Sequence, residues 1–382
     1  MQPRLFDLTE AQALVRDTAR NYAQQKLAKV AGKLDRERRF PREQLAELAE
    51  LGLMGVNIPE RYGGAEAGAV AYALAMMEIA QGCASTAVTM AVNNLVAEII
   101  VRFGTEEQKT RYVPEITSGR FAAASFGLSE PHAGSDAGAL RTTARRDGGE
   151  YVINGSKQWI TSGDQAGVII VWARTGEPGT RGISAFLVEA GTKGLHVGRH
   201  EDKMGLRASS TVSLAFEDVR VPVSAMLGPE GRGFPIALSG LDSGRVGIAC
   251  QAIGIGTAAL DAATRYAKER RAFGHPIADF QAVRFMLADV ATELEAARLL
   301  AFRAAALKEA GKPFTREGSM AKVFASEKAN KACDVAVQVH GGYGYIDEFP
   351  VERHYRDARI TTIYEGSSEI QRIVIARHLL AD

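Results

Sequence analysis

Four stretches of this chain hold residues whose types and spacing could do chemistry. The first is Gly127-Leu128-Ser129-Glu130-Pro131-His132-Ala133-Gly134-Ser135-Asp136. Hydroxyls and glycine N–H groups in such a loop can come close to an anionic or flat heteroaromatic ligand. The same residue types also cap helices and build turns. The second is Lys157-Gln158-Trp159-Ile160-Thr161-Ser162-Gly163, where an indole beside a hydroxyl could stack on a planar cofactor and bond one of its ring atoms. A core Trp in a β-rich segment would read the same way. The third is Gln338-Val339-His340-Gly341-Gly342-Tyr343-Gly344-Tyr345. It suits close approach by a diphosphate or another backbone, or simply ends a helix. No Gly-Lys-Ser/Thr follows it and no strand precedes it, so it is neither a Walker loop nor a dinucleotide fingerprint.

The fourth is Tyr364-Glu365-Gly366-Ser367-Ser368-Glu369. Glu365 follows Thr361, Thr362, Ile363 and Tyr364, an apolar and β-branched neighbourhood. A carboxylate held there loses hydration, so its pKa rises from about 4.3 towards neutrality and it becomes a better general base. Gly366 removes a side chain beside it. The alternative is a Glu that complements a helix N-terminus.

Other chemistries lack their residues. The seven histidines show no HExxH or comparable ligand spacing, and no G-x-S-x-G elbow occurs. Cys83, Cys250 and Cys333 are widely spaced and read as small buried hydrophobes in a reducing compartment, not as a metal or disulfide framework. Lys plus Arg total 46 against 45 Asp plus Glu, a net charge of +1, which provides no field for nucleic acid or an anionic membrane. MQPRLFDLTEAQ has no leader-like apolar run, and no segment is expected to span a bilayer. A soluble, cytoplasmic protein is expected.

The elements that must position these stretches follow from periodicity. Thr9 is a plausible N-cap, Pro41 opens a helix that Gly52 stops, and Thr105 with Gln108 forms a capping-box pattern. From about Phe121 short runs rich in Val, Ile, Phe and Thr replace the helical pattern, as in Val168-Ile169-Ile170-Val171-Trp172. Asn154-Gly155 predicts a hairpin there. After Gly233 the helical pattern returns and persists. The expected organisation is α, then β, then α: a helical N-terminal domain over 1–119, an antiparallel sandwich or barrel over 120–228, and a helical domain over 229–382.

Together, and in this order, the four stretches resemble the acyl-CoA dehydrogenase family across essentially the whole chain. Arg61-Tyr62-Gly63-Gly64 and Phe103-Gly104-Thr105-Glu106-Glu107-Gln108-Lys109 are similar to further landmarks of it. The resemblance implies an α+β fold with a C-terminal four-helix bundle, a homotetramer, and FAD in the cleft. It implies flavin contacts at Leu128, Ser129, Gly134, Ser135, Trp159, Ile160 and Thr161. Arg270 and Phe273 match residues that reach the FAD of a neighbouring subunit, and Gln281, Gln338 and Gly342 match further dinucleotide contacts. Ser367 and Glu369 match the loop beside the base. On the substrate side it implies Ser135, Asp242, Arg245, Tyr364 and Gly366. Glu365 matches the catalytic glutamate, which takes the α-proton of an acyl-CoA while the β-hydrogen leaves as hydride. The thioester carbonyl is then held by the Glu365 N–H and a ribityl hydroxyl. Trans-2-enoyl-CoA results, and an electron-transferring flavoprotein takes the electrons.

Some members carry the base at the position of Gly244, where glycine cannot serve, so the role falls to Glu365. Ala272 replaces a residue that is often polar, and Glu369 stands where others have Gln. Val92-Asn93-Asn94 and the stretch from Leu241 to Ala249 are most similar to the short-chain and short branched-chain subgroup. A carrier-protein thioester, an oxidase reaction, and a non-catalytic flavoprotein or helical scaffold are the rival readings.

Overall fold

A computed structural model describes residues 8–381; the first seven residues, which carry most of the stretch read as leaderless, lie outside them. The chain begins with α1 (Glu10–Tyr22), a π-helical turn at Ala23–Leu27, α2 (Ala28–Glu37), α3 (Arg42–Glu50), α4 (Gly68–Gly82), α5 (Ala84–Phe103) and α6 (Glu106–Thr117). Both caps form as expected. Thr9 Oγ1 accepts the Gln12 N–H at 3.2 Å while Gln12 Oε1 accepts the Thr9 N–H at 3.0 Å. Thr105 and Gln108 repeat this at α6, each reciprocal cap satisfying two otherwise unpaired donors.

A single eight-stranded sheet follows: β1 (Ala123–Gly127), β2 (Thr143–Asp147), β3 (Glu150–Thr161), β4 (Ala166–Arg174), β5 (Ile183–Glu189), β6 (Leu195–His200), β7 (Thr211–Pro222) and β8 (Met226–Leu227). The order is β6-β7-β3-β2-β4-β5-β8, antiparallel except where β1 and β2 run parallel to β4. Tyr151 on β3 and Phe186 on β5 are two strands removed from adjacency, yet their rings lie 5.0 Å apart, so the sheet curls onto itself. Alternate residues of β4 serve two cores. Val168, Ile170 and Trp172 pack towards α5 and α6, and Ile169 and Val171 face β3 and β7.

The Asn154-Gly155 hairpin is corrected. These residues lie inside β3, at a register shift opposite β7, and the β2–β3 hairpin turns instead at Gly148-Gly149, with Asp147 paired to Glu150. Gly155 has φ +144°, and a Cβ there would lie 2.7 Å from the Thr142 Cα. The glycine marks a bulge where another backbone passes too close for any side chain. Asn154 serves that bulge, its Oδ1 accepting the Asp218 N–H at 2.9 Å.

The last third is α7 (Gly233–Glu269), a small hairpin β9–β10 (Arg271–Ala272, His275–Pro276), α8 (Gln281–Glu309), α9 (Thr315–His340), α10 (Val351–Arg359) and α11 (Ser368–Leu379). One core of Ala, Leu and Met joins α1 and α4 to α7, α8 and α9. The expectation of no bilayer-length segment is also corrected: α5 and α7 are long and apolar enough to cross a membrane. Of their most apolar windows, 89% and 78% are buried within the fold, so both are core helices.

Candidate active site

Glu365 lies in the turn between Ile360–Thr362 and α11, with φ +54°, and Gly366 follows at φ +86°. Two successive left-handed residues are costly for a non-glycine backbone, so tertiary contacts must hold this turn. They do. Gln371, wholly buried on α11, donates from Nε2 to the Glu365 carbonyl at 3.1 Å and the Gly366 carbonyl at 2.8 Å. Lys322, wholly buried on α9, donates to the Gly366 carbonyl at 2.7 Å. Among the described residues the Glu365 N–H has no acceptor, so it stays free for a ligand.

Glu365 as a residue is partly exposed, but its Oε2 is buried and has no hydrogen-bond partner. Burial pushes its carboxyl up to about 7, against the opposing fields of Arg245 and Lys322. A carboxyl near neutrality with an unoccupied lone pair suits a general base. A Cβ on Gly244 would lie 2.5 Å from Glu365 Oε2. Only a hydrogen at position 244 leaves the carboxylate room. Gly244→Ala is expected to displace the Glu365 carboxyl and to slow any reaction that uses it as a base by at least about tenfold, read by steady-state rates with the fold checked by circular dichroism.

Arg245, on the next position of α7, is buried and held by Asp242 Oδ1 at 2.6 Å and Ser319 Oγ at 3.4 Å. Asp242 Oδ2 accepts from Thr315 Oγ1 at 2.7 Å. Arg245 Nε remains buried and unpaired. Further along the same face of α7, at i+3 and i+7 from Gly244, Gly247 faces the Tyr72 hydroxyl and the fully buried Gln251 meets the Tyr364 hydroxyl. Gln251 lies about 10 Å along the helix from Gly244, so these phenols and the amide sit on the face of α7 that the base shares.

The loop after β1 is joined to β3 by a buried ion pair. Lys157 Nζ donates to Glu130 Oε1 at 2.8 Å and to the Leu128 carbonyl at 3.1 Å. Glu130 also accepts the Arg141 and Thr142 N–H groups at 2.6 and 3.0 Å. Burial works against ionisation of Glu130, but the Lys157 ammonium and these donors outweigh it and hold the carboxyl below the ordinary range. Burial brings Lys157 down to about 8. The Gln158 N–H donates to the Ser129 carbonyl at 2.9 Å. Leu128 and Ser129 are thus joined to Lys157 and Gln158, next to Trp159, Ile160 and Thr161, while Gly134 and Ser135 follow in the same loop with, among the described residues, no hydrogen bond to that segment. Trp159 stands at φ +62°, 62% exposed, at a register shift in β3. The core Trp is Trp172, whose Nε1 donates to the Gly233 carbonyl at 2.8 Å.

A cavity of about 490 Å³ away from this site is lined by Arg270, Tyr266, His340, Gly342 and Tyr343. The Arg270 guanidinium sits 5.6 Å over the Tyr343 ring. Gln338 and Gln281 are exposed nearby, on α9 and at the start of α8, and Phe273 is 92% exposed. Among the described residues no hydrogen bond, ion pair or ring contact joins this group to the 127–136 and 157–161 segments. Ser367 precedes α11, and its hydroxyl helps hold the Glu369 carboxyl below its ordinary range.

Comparison with known proteins decides the family. Its three family models, for the N-terminal, middle and C-terminal domains of acyl-CoA dehydrogenase, match residues 9–120, 125–219 and 231–380. The chain belongs to the acyl-CoA dehydrogenase family. The short-chain specific acyl-CoA dehydrogenase, mitochondrial, of Bos taurus is 52% identical over 98% of this chain and 91% of its own. The butyryl-CoA dehydrogenase structure from Megasphaera elsdenii superposes with a TM-score of 0.96 at 43% identity, covering 98% of this chain and 100% of the other. A structure described as the electron transferring flavoprotein of Acidaminococcus fermentans, towards a mechanism of flavin-based electron bifurcation, contains a chain with TM-score 0.97 and 45% identity, covering 99% and 100%.

This acyl-CoA dehydrogenase is therefore a flavin-dependent oxidoreductase acting on a CH–CH bond. Its residues fit a flavin dinucleotide. A Cβ on Gly134, Gly341 or Gly342 would meet nothing within 4 Å, so backbone lies open where the phosphate-binding stretches were expected. Sequence reasoning did not single out Lys322, Gln371, Tyr72 or Gln251. Lys322 had one legible signal: it interrupts a buried stripe of small residues on α9, with Ser319, Ser326 and Ala329 at helical spacing.

Proposed function

We propose that this acyl-CoA dehydrogenase binds FAD and uses Glu365 to desaturate a short-chain acyl-CoA to the trans-2-enoyl-CoA, passing the electrons to an electron-transferring flavoprotein. The observation that carries the reading is the buried, unpartnered Oε2 of Glu365 over Gly244. That oxygen can take the pro-R or pro-S α-hydrogen of a thioester as a proton, leaving Glu365 neutral. The free Glu365 N–H can donate to the thioester carbonyl, where negative charge develops as the proton departs. Arg245 and Asp242, beside Gly244 on α7, would orient the rest of the substrate. Bound FAD would supply a hydride acceptor for the β-hydrogen. Leu128, Ser129 and Thr161 would hold its ring system, with Trp159 at the solvent side.

A short acyl group is supported by Tyr72, Gln251 and Tyr364, which occupy the space beyond Gly244, and by likeness to the short-chain and butyryl-CoA relatives. The exposed Arg270, Phe273, Gln281, Gln338 and Gly342, unconnected to the flavin loops of their own chain, support a homotetramer in which they reach a neighbour's dinucleotide. The electron-transferring flavoprotein is supported by likeness to the chain from the Acidaminococcus fermentans structure.

Anaerobic titration of the yellow protein with a ladder of acyl-CoA chain lengths tests the reading. Complete bleaching with butyryl-CoA, weakening steeply at longer chains, is expected. A flavin that stays oxidised with every acyl-CoA would overturn it, and hydrogen peroxide formed at the turnover rate would replace the partner with oxygen.

A further inference from the structure

Lys322 is a charged group at the site that the reaction as described does not use. Its side chain is wholly buried on α9, and among the described residues its only hydrogen bond is to the Gly366 carbonyl, 2.7 Å away. Among the described residues no carboxylate lies within ion-pair distance of its Nζ. An ammonium without a paired anion is costly in a buried position, so its charge must be balanced through space. The balancing charge is Glu365: of all groups that act on Lys322, the carboxylate of the base exerts the largest favourable field, ahead of Glu369 and Glu327, with Arg245 opposing.

The placement has a chemical logic. A cation in direct contact with Oε2 would occupy the lone pair that must take the proton and would depress the base too far. A cation held one residue away, by a carbonyl of the catalytic turn, leaves Oε2 free while still favouring its ionised form. Lys322 and Gln371 converge on that carbonyl from two helices, so the same contact fixes the strained turn.

We propose that Lys322 is a positioning residue of this site: its ammonium ties the Gly366 carbonyl to α9 and supplies the counter-charge that lets Glu365 ionise in a dry cleft. The inference rests on Glu365 being the base. The groups facing Glu365 are Arg245 on α7, Lys322 on α9, Tyr72 on α4 and its neighbour Tyr364, with Glu369 of α11 and Glu327 of α9 facing Lys322. Arg245 is already engaged by Asp242 and Ser319, and the phenols carry no charge near neutrality. Burial brings Lys322 itself down to about 8 and raises Glu365 to about 7, each against the favourable field of the other.

The test is an infrared pH titration of the protonated-carboxyl stretch in the purified holoprotein, with the Glu365 band assigned by its loss in Glu365→Gln. Lys322→Met should retain flavin and raise the midpoint by about one pH unit, since an adjacent opposite charge lowers a carboxyl by one to three. The acid limb of the anaerobic flavin-reduction rate should move with it. Lys322→Arg keeps the charge and should hold the midpoint near the native one. Lys322→Gln keeps a donor to Gly366 but not the charge, and should shift as Met does. Equal midpoints in the native protein and all three variants would overturn the proposal. Should Lys322→Met not fold, the Arg and Gln variants decide alone: different midpoints support it and equal midpoints overturn it. A native protein whose flavin never bleaches would sink the substrate reading instead, and the carboxyl titration would still decide the role of Lys322.

Discussion

Replacing Glu365 with Gln is expected to leave a folded, yellow protein whose flavin is reduced by butyryl-CoA about 10⁴-fold more slowly, the upper end of what a positioned base contributes. The amide is nearly isosteric with the carboxyl, so the space over Gly244 stays filled and binding should persist. Stopped-flow reduction under anaerobic conditions measures the loss, and a loss of less than tenfold would remove Glu365 from the reaction. The same variant should be more stable than the native protein in alkali. The Glu365 carboxyl titrates at about 7 when folded against 4.5 for an unperturbed group. Its stabilising contribution is therefore complete below the unfolded value and disappears as the pH rises through about 7. The amide has no such loss. In urea unfolding at about pH 8 the variant should gain up to about 3 kcal/mol, and at about pH 4 the difference should vanish. An equal gain at both pH values would mean that burial of the charge is not its source.

Lys157→Met is expected to cost about 3–5 kcal/mol of stability, because it strands the Glu130 carboxylate in a buried site. It also cuts the bond from Nζ to the Leu128 carbonyl, which couples the loop after β1 to the Trp159 segment. Flavin should be lost with stability. Chemical denaturation and the ratio of flavin to protein absorbance read the two effects. Adding Glu130→Gln to Lys157→Met should recover part of the stability, since the neutral amide removes the stranded charge and its one oxygen can still accept one of the Arg141 and Thr142 N–H groups that now go to separate carboxylate oxygens. A single variant that loses under about 1 kcal/mol and keeps its flavin would mean that the pair does not anchor the loops.

Much of this enzyme could be read locally. The caps at Thr9 and Thr105 form because their donors and acceptors lie within one turn of each other. The four chemistry-bearing stretches could be found because each is a contiguous run. The hairpin expected at Asn154-Gly155 failed for the converse reason: the positive φ there serves a bulge against Thr142, a neighbour that only the folded sheet supplies. The membrane-length apolarity of α5 and α7 likewise took its meaning from the partners that bury them.

The amino-acid sequence by itself determined the α, β, α order, the cap positions and the identity of the carboxylate in the turn after Tyr364. Propensity, periodicity and short-range hydrogen bonding act over a few residues. Only the tertiary structure decided that Glu365 keeps an oxygen bare, that Gly244 of α7 makes room for it, and that Lys322 of α9 and Gln371 of α11 grip the turn from behind. Electric fields and excluded volume depend on distance through space, and three helices far apart along the chain meet at this one carboxylate.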